Sequence, residues 1–94
     1  MIVLVLNCGS SSIKYKLYDM SDESVLAQGG AERIGLDNAF VKVTLKDGSK
    51  EKVMHDMPDH KEGVKFVFQL LLDPKYGALK SLDQIDAVGH RIVQ

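Results

Sequence analysis

The chain has one cysteine, Cys8, two prolines and no tryptophan in 94 residues. A lone thiol closes no internal bridge, which excludes a small secreted scaffold held by disulfides and suits a reducing compartment. Charge of one sign is also missing: twelve Lys and Arg against thirteen Asp and Glu leave a net charge of −1. No global field therefore recruits nucleic acid or an anionic membrane, and any anion site must be local. The apolar opening, Met1 to Leu6, lacks a basic flank and falls far short of the ~20 residues of a membrane span. A cytoplasmic protein without membrane or nucleic-acid partners is expected. What is present is ordinary for a folded domain, 45% hydrophobic and 27% charged residues, with no repeat or low-complexity tract.

Met1 to Leu6 is a continuous apolar run closed by a turn signal, as in a strand buried on both faces. Ile13, Tyr15 and Leu17 then alternate with Lys14 and Lys16, which predicts a half-buried strand. A third strand is expected over Val25 to Gln28, with Gly29-Gly30 marking a bulge or a close backbone approach. Val41, Val43 and Leu45 alternate with Lys42, Thr44 and Lys46 up to Asp47-Gly48, a hairpin turn pair. A strict two-residue turn would set Val43 opposite Lys52, so a longer or bulged loop is expected.

Asp59 followed three residues later by Glu62 is a capping-box start, and Val64, Val67, Phe68, Leu71 and Leu72 follow helical spacing until Asp73-Pro74. Ile85 to Val93 reads as a further strand. Strands, then a helix, then a strand predict a mixed sheet with a helix packed on it. Ile92-Val93 looks like the middle of a buried element, so the chain is expected to be a piece of something larger.

Asn7-Cys8-Gly9-Ser10-Ser11-Ser12-Ile13-Lys14 is the most informative stretch. It follows a buried strand and combines a glycine, three hydroxyls and a lysine, the parts of a phosphate cradle. Composition equally allows a Gly/Ser hairpin turn whose hydroxyls only satisfy nearby backbone groups. The pattern is not a Walker loop, which opens a helix and needs a second glycine before its lysine. Asn7 offers a neutral amide oxygen of the hard type that Mg²⁺ accepts.

Leu4 to Lys14 resembles the amino-terminal signature of the acetate kinase family, whose close relative is propionate kinase, in the superfamily that also holds sugar kinases and actin. Val88-Gly89-His90-Arg91-Ile92-Val93 resembles a second part of that signature at the expected distance. The resemblance implies an α/β, ribonuclease-H-like fold with a mixed five-stranded-type sheet and a packed helix. It makes residues 1–94 a single, partial amino-terminal lobe whose companion lobe is not in this chain. It implies reversible transfer of the terminal phosphoryl group of ATP to acetate, giving acetyl phosphate and ADP, with Mg²⁺ as cofactor and a homodimeric full-length enzyme. By position, Asn7 would sit at the Mg²⁺, while Gly9, Ser10, Ser12 and Lys14 would bind ATP and its phosphates. Arg91 would bind the carboxylate or acyl phosphate, and Val93 would line the acetate methyl pocket. No catalytic residue of the family falls within the chain.

A guanidinium matches a carboxylate or phosphate bidentately, which agrees with that role for Arg91, although on its own such an arginine also suits a surface ion pair. In the family two small residues and His-Gly-Gly follow the arginine, and Gln94 stands where that histidine would be. The remaining groups of the active site lie beyond Gln94, so the isolated chain is expected to be inactive. Propionate kinase shares both signatures. Butyrate kinase fits less well, because its loop carries Ser-Thr-Ser-Thr where this chain has Ser10-Ser11-Ser12-Ile13. From another class, a stand-alone phosphate-binding module without catalysis would keep the loop alone.

Other candidates read as structural. His55 and His60, flanking Pro58 with Asp56 and Asp59, match no metal-ligand spacing and are expected as solvated loop residues. His90 is expected to fill a hydrogen bond at a strand end, Cys8 to be a small buried residue, and Phe66 to Phe68 to be helix core or rim. Lys42, Lys46, Lys50 and Lys52, interrupted by acids, read as a solvated hairpin face.

Overall fold

The computed structural model describes residues 1–45 and 47–92, with Arg91 and Ile92 described by backbone alone; Lys46, Val93 and Gln94 lie outside the description. Six strands form one sheet: β1 (Ile2–Cys8), β2 (Ile13–Asp19), β3 (Ser24–Glu32), β4 (Phe40–Thr44), β5 (Lys50–Met54) and β6 (Ala87–Ile92), in the order β5-β4-β3-β2-β1-β6. β1 to β5 run as an antiparallel meander, and β6 joins the far edge parallel to β1. Between β5 and β6 the chain must therefore cross the whole sheet. It does so with one helix, α1 (His60–Leu72), followed by a short 3-10 turn at Leu82–Gln84. A mixed sheet with a packed helix is the expected architecture, with six strands among the described residues where the resemblance implies a five-stranded type.

Alternation decides which face is covered. In β2, Ile13, Tyr15 and Leu17 are buried while Lys14 and Lys16 are exposed. The register extends this apolar row sideways, pairing Leu17 with Leu4 and Ala27, and Ile13 with Ala31, which in turn faces Val41. α1 lies over this face against β2 and β3 and buries Val67, Leu70 and Leu71. Gly63 is the point of closest approach, since a Cβ there would stand 3.0 Å from Ile13 Cδ1 and 3.1 Å from Ile34 Cδ1. The buried stripe is accordingly 63, 67, 70 and 71, and Leu72, expected in the core, is exposed.

Asp59 caps α1 by accepting the Glu62 N–H at 2.9 Å, an interaction worth about 1 kcal/mol. Only half of the capping box forms, because the Glu62 carboxylate instead meets His55 Nε2 at 3.2 Å. β3 is longer than expected and runs straight through Gly29-Gly30; the bulge lies opposite Leu17/Tyr18 instead. Gly29 marks a close approach, since a Cβ there would lie 2.6 Å from the Tyr15 hydroxyl and 2.8 Å from the Lys42 carbonyl. The β4–β5 hairpin has the expected longer loop: Leu45 O accepts the Gly48 N–H at 2.9 Å and Leu45 N–H reaches Ser49 O at 2.7 Å. Gly48 takes a left-handed φ of 87°, and Val43 consequently faces Glu51 instead of Lys52.

Candidate functional site

The β1–β2 connection is held by its backbone. Gly9 N–H reaches Ser12 O at 2.8 Å, and Ser11 O accepts the Ile34 N–H at 2.9 Å. Gly9 O meets His60 Nε2, from the first turn of α1, at 2.7 Å. Among the described residues no hydrogen bond occupies the Ser10 or Ser12 hydroxyl or the Ser10 N–H. Donors of a phosphate cradle are thus left over after the turn has satisfied itself. Gly9 does not serve through a left-handed backbone, for the positive-φ glycines are Gly35 and Gly48.

The strand register brings the other signature residues together. Asn7 pairs with Lys14 across β1–β2 and with Arg91 across β1–β6. Residues that were 77 and 84 positions apart from Arg91 in sequence thus occupy one row, with neighbours about 5 Å apart. The row continues through Gly30 to Lys42. Val93, the other residue assigned to the acyl end, lies outside the described residues.

The face of the sheet away from α1 holds an open basin of about 700 Å³, lined among others by Asn7, Lys14, Lys16, Glu32, Lys42 and Lys50. Glu32 is the one carboxylate among its lining residues. The ion pairs among the described residues, His55 with Glu62 and Lys75 with Glu51, lie elsewhere. A chain of near-zero net charge therefore gathers a local positive field here. The hairpin lysines are part of it, which their sequence context hid: Glu51 alternates onto the opposite face, leaving Lys50 and Lys42 unopposed.

Asn7 Oδ1 is fully buried and has no hydrogen-bond partner among the described residues. Such an orphaned oxygen costs about 1–3 kcal/mol unless a ligand completes it. Its chemistry fits Mg²⁺, a hard cation that takes one or two protein oxygens and fills its shell with water and phosphate oxygens. No cluster of three His, Cys, Asp or Glu that could cage a metal occurs among the described residues, so phosphate would have to share the ion.

The histidines depart from expectation. His55 is half-buried, stacked on Phe66 with ring centroids 3.8 Å apart, and paired with Glu62. His60 begins α1 and touches the β1–β2 loop 51 residues away. Neither is a solvated loop residue, because helix packing folds the Pro58 segment back onto the sheet. His90 is exposed and its ring forms no hydrogen bond among the described residues, and Cys8 is a half-buried free thiol.

Comparison with known proteins gives a consistent result. The family model described as the acetokinase family matches residues 2–94. The chain is 58% identical over 93 residues to acetate kinase of Bacteroides thetaiotaomicron, covering 99% of this chain and 23% of that protein. It superposes on the crystal structure of Porphyromonas gingivalis acetate kinase with a TM-score of 0.94 at 54% identity, covering 99% of this chain and 23% of that one. With a propionate kinase from Francisella tularensis subsp. tularensis the TM-score is 0.77 at 32% identity, over 99% of this chain and 22% of the other. The chain thus spans about a quarter of the length of the relatives it matches.

Proposed function

Because the chain belongs to the acetokinase family, we propose that it forms the amino-terminal part of an acetate kinase, which transfers the terminal phosphoryl group of ATP to acetate. The observation that carries this reading is the row Arg91, Asn7, Lys14 across three adjacent strands, next to a loop with unused hydroxyl and amide donors. Phosphoryl transfer needs positioning and charge neutralisation more than covalent help. In this reading the Ser10 N–H, the Ser10 and Ser12 hydroxyls and Lys14 hold ATP phosphates next to Gly9. Asn7 holds Mg²⁺ through its amide oxygen. Bound there, the ion would neutralise phosphate charge and orient the terminal phosphoryl group. Arg91 binds the carboxylate of acetate or the acyl phosphate in a two-point fork, and Val93 lines the methyl pocket.

The assignment of the substrate to acetate instead of propionate is supported by the higher identity and structural similarity to an acetate kinase than to a propionate kinase. The ribonuclease-H-like lobe, cytoplasmic location, Mg²⁺ cofactor and homodimer belong to the same proposal. A site of which this chain supplies one wall cannot orient both substrates, so the isolated chain is expected to show no turnover. The test is hydroxylamine trapping of the acyl phosphate formed by the full-length protein from MgATP, with acetate and propionate in competition. Acetyl hydroxamate in excess is the expected product. Preferential propionyl product would reassign the substrate, and nucleotide binding without either product would make this a non-catalytic phosphate-binding module.

A further inference from the structure

We infer that His60 is a positioning residue of the phosphate loop, acting by aiming the Ser10 amide; this rests on the reading of that loop as an ATP-phosphate site. Gly9 O can only accept a hydrogen bond, so the 2.7 Å contact requires a proton on His60 Nε2. The Gly9 carbonyl and the Ser10 N–H belong to one planar peptide unit, and no peptide bond in the described chain is cis. In a trans unit the two groups point in opposite directions. Drawing the carbonyl onto α1 therefore turns the Ser10 N–H away from the helix. That N–H, like those of Ser11 and Ser12, has no partner among the described residues, and it is the one whose direction the Gly9 carbonyl fixes.

The anchor is itself fixed. His60 sits in the first turn of α1 behind the Asp59 cap. The helix is seated by Gly63 against Ile13, which follows the loop in sequence, and Ile34, which touches it in space. Ile34 also donates its N–H to Ser11 O. Two elements distant in sequence thus grip the carbonyls on either side of Ser10, that of Gly9 from α1 and that of Ser11 from the segment after β3. Neither uses a side chain of the loop. The loop's orientation is set from behind, leaving its front for a ligand, an arrangement in which a small misplacement is costly for reactivity.

The test compares His60→Phe, which keeps a ring but loses the donor, with His60→Gln, whose amide N–H reaches a similar point, in the full-length protein. The expected result is a drop in kcat/KM for MgATP of about tenfold or more in His60→Phe and recovery to within about threefold in His60→Gln. Thermal unfolding should place both variants together, which separates positioning from loss of fold. Equal kinetics in wild type and His60→Phe, or equal loss in both variants, would overturn the inference. ¹⁵N–¹H correlation of the His60 ring decides the matter even if wild type shows no kinase turnover, a failure that would count against the proposed function alone. A proton on Nε2 together with a Ser10 amide resonance displaced in His60→Phe but not in His60→Gln supports the inference. A ring protonated on Nδ1 alone contradicts it.

Discussion

Along β2, Ile13, Tyr15 and Leu17 are buried against α1, while Lys14 and Lys16, one position out of step, are exposed on the opposite face. The two faces of the sheet thus share a backbone and divide the work. The covered face is apolar, close-packed and closed by Val67, Leu70 and Leu71 of the helix. The open face holds the basin, with four lysines among its lining residues and an Asn7 oxygen that has no partner among the described residues. The difference teaches that stability and candidate chemistry can be perturbed separately at adjacent positions of the same strand.

The division breaks most severely by cutting into the covered face. Leu17→Ala, at a fully buried position, should cost about 3–4 kcal/mol, seen as a loss of roughly 12 °C or more in the thermal midpoint of a domain this size. Gly29→Val should come next, at roughly 1–3 kcal/mol, because its side chain would collide with the Tyr15 hydroxyl and the Lys42 carbonyl. Chemical denaturation of each variant checks the order.

Tyr15 sharpens the comparison, because its polar tip is on the apolar side. Burial pushes its phenol up from 10.0 to about 12, and its hydroxyl has no partner among the described residues. Since the folded state holds the proton more tightly, this stability is complete below pH 10 and is lost as pH rises through 10 toward 12, by roughly 2–3 kcal/mol. Tyr15→Phe should flatten that alkaline decline in a pH series of unfolding curves. At neutral pH it should leave stability equal or up to about 1 kcal/mol higher, since it removes an unsatisfied group. The smallest effect is expected on the open face, where Lys16→Ser should change stability by less than about 0.5 kcal/mol.

Much of this organisation is readable from alternation and caps. The β2 pattern, the Asp59 start, the Asp73-Pro74 stop and the longer hairpin loop all follow from local chemistry that the fold respects. The extent of β3 does not, because Gly29 and Gly30 look like breakers until Tyr15 supplies a ring that needs the space. The rotation of α1 toward Leu70 is equally hidden, being set by Gly63 against Ile13 and Ile34. The residues of the candidate site are legible as two motifs, but not their adjacency. Nothing in sequence tells that β6 lies parallel to β1 in the register that sets Arg91 next to Asn7. The bond from His60 to Gly9 gives no sequence signal at all, since it depends on how the helix crosses the sheet.

On the proposed function, the row through Asn7 serves phosphoryl transfer and not the fold. The most direct test measures acyl phosphate formation and unfolding free energy in parallel for the full-length protein and its Asn7→Ala variant. The account predicts a fall in kcat/KM of about a hundredfold or more, with stability lowered by no more than about 1 kcal/mol, because the lost oxygen has no partner among the described residues. Turnover preserved in Asn7→Ala, or lost only in step with unfolding, would contradict it.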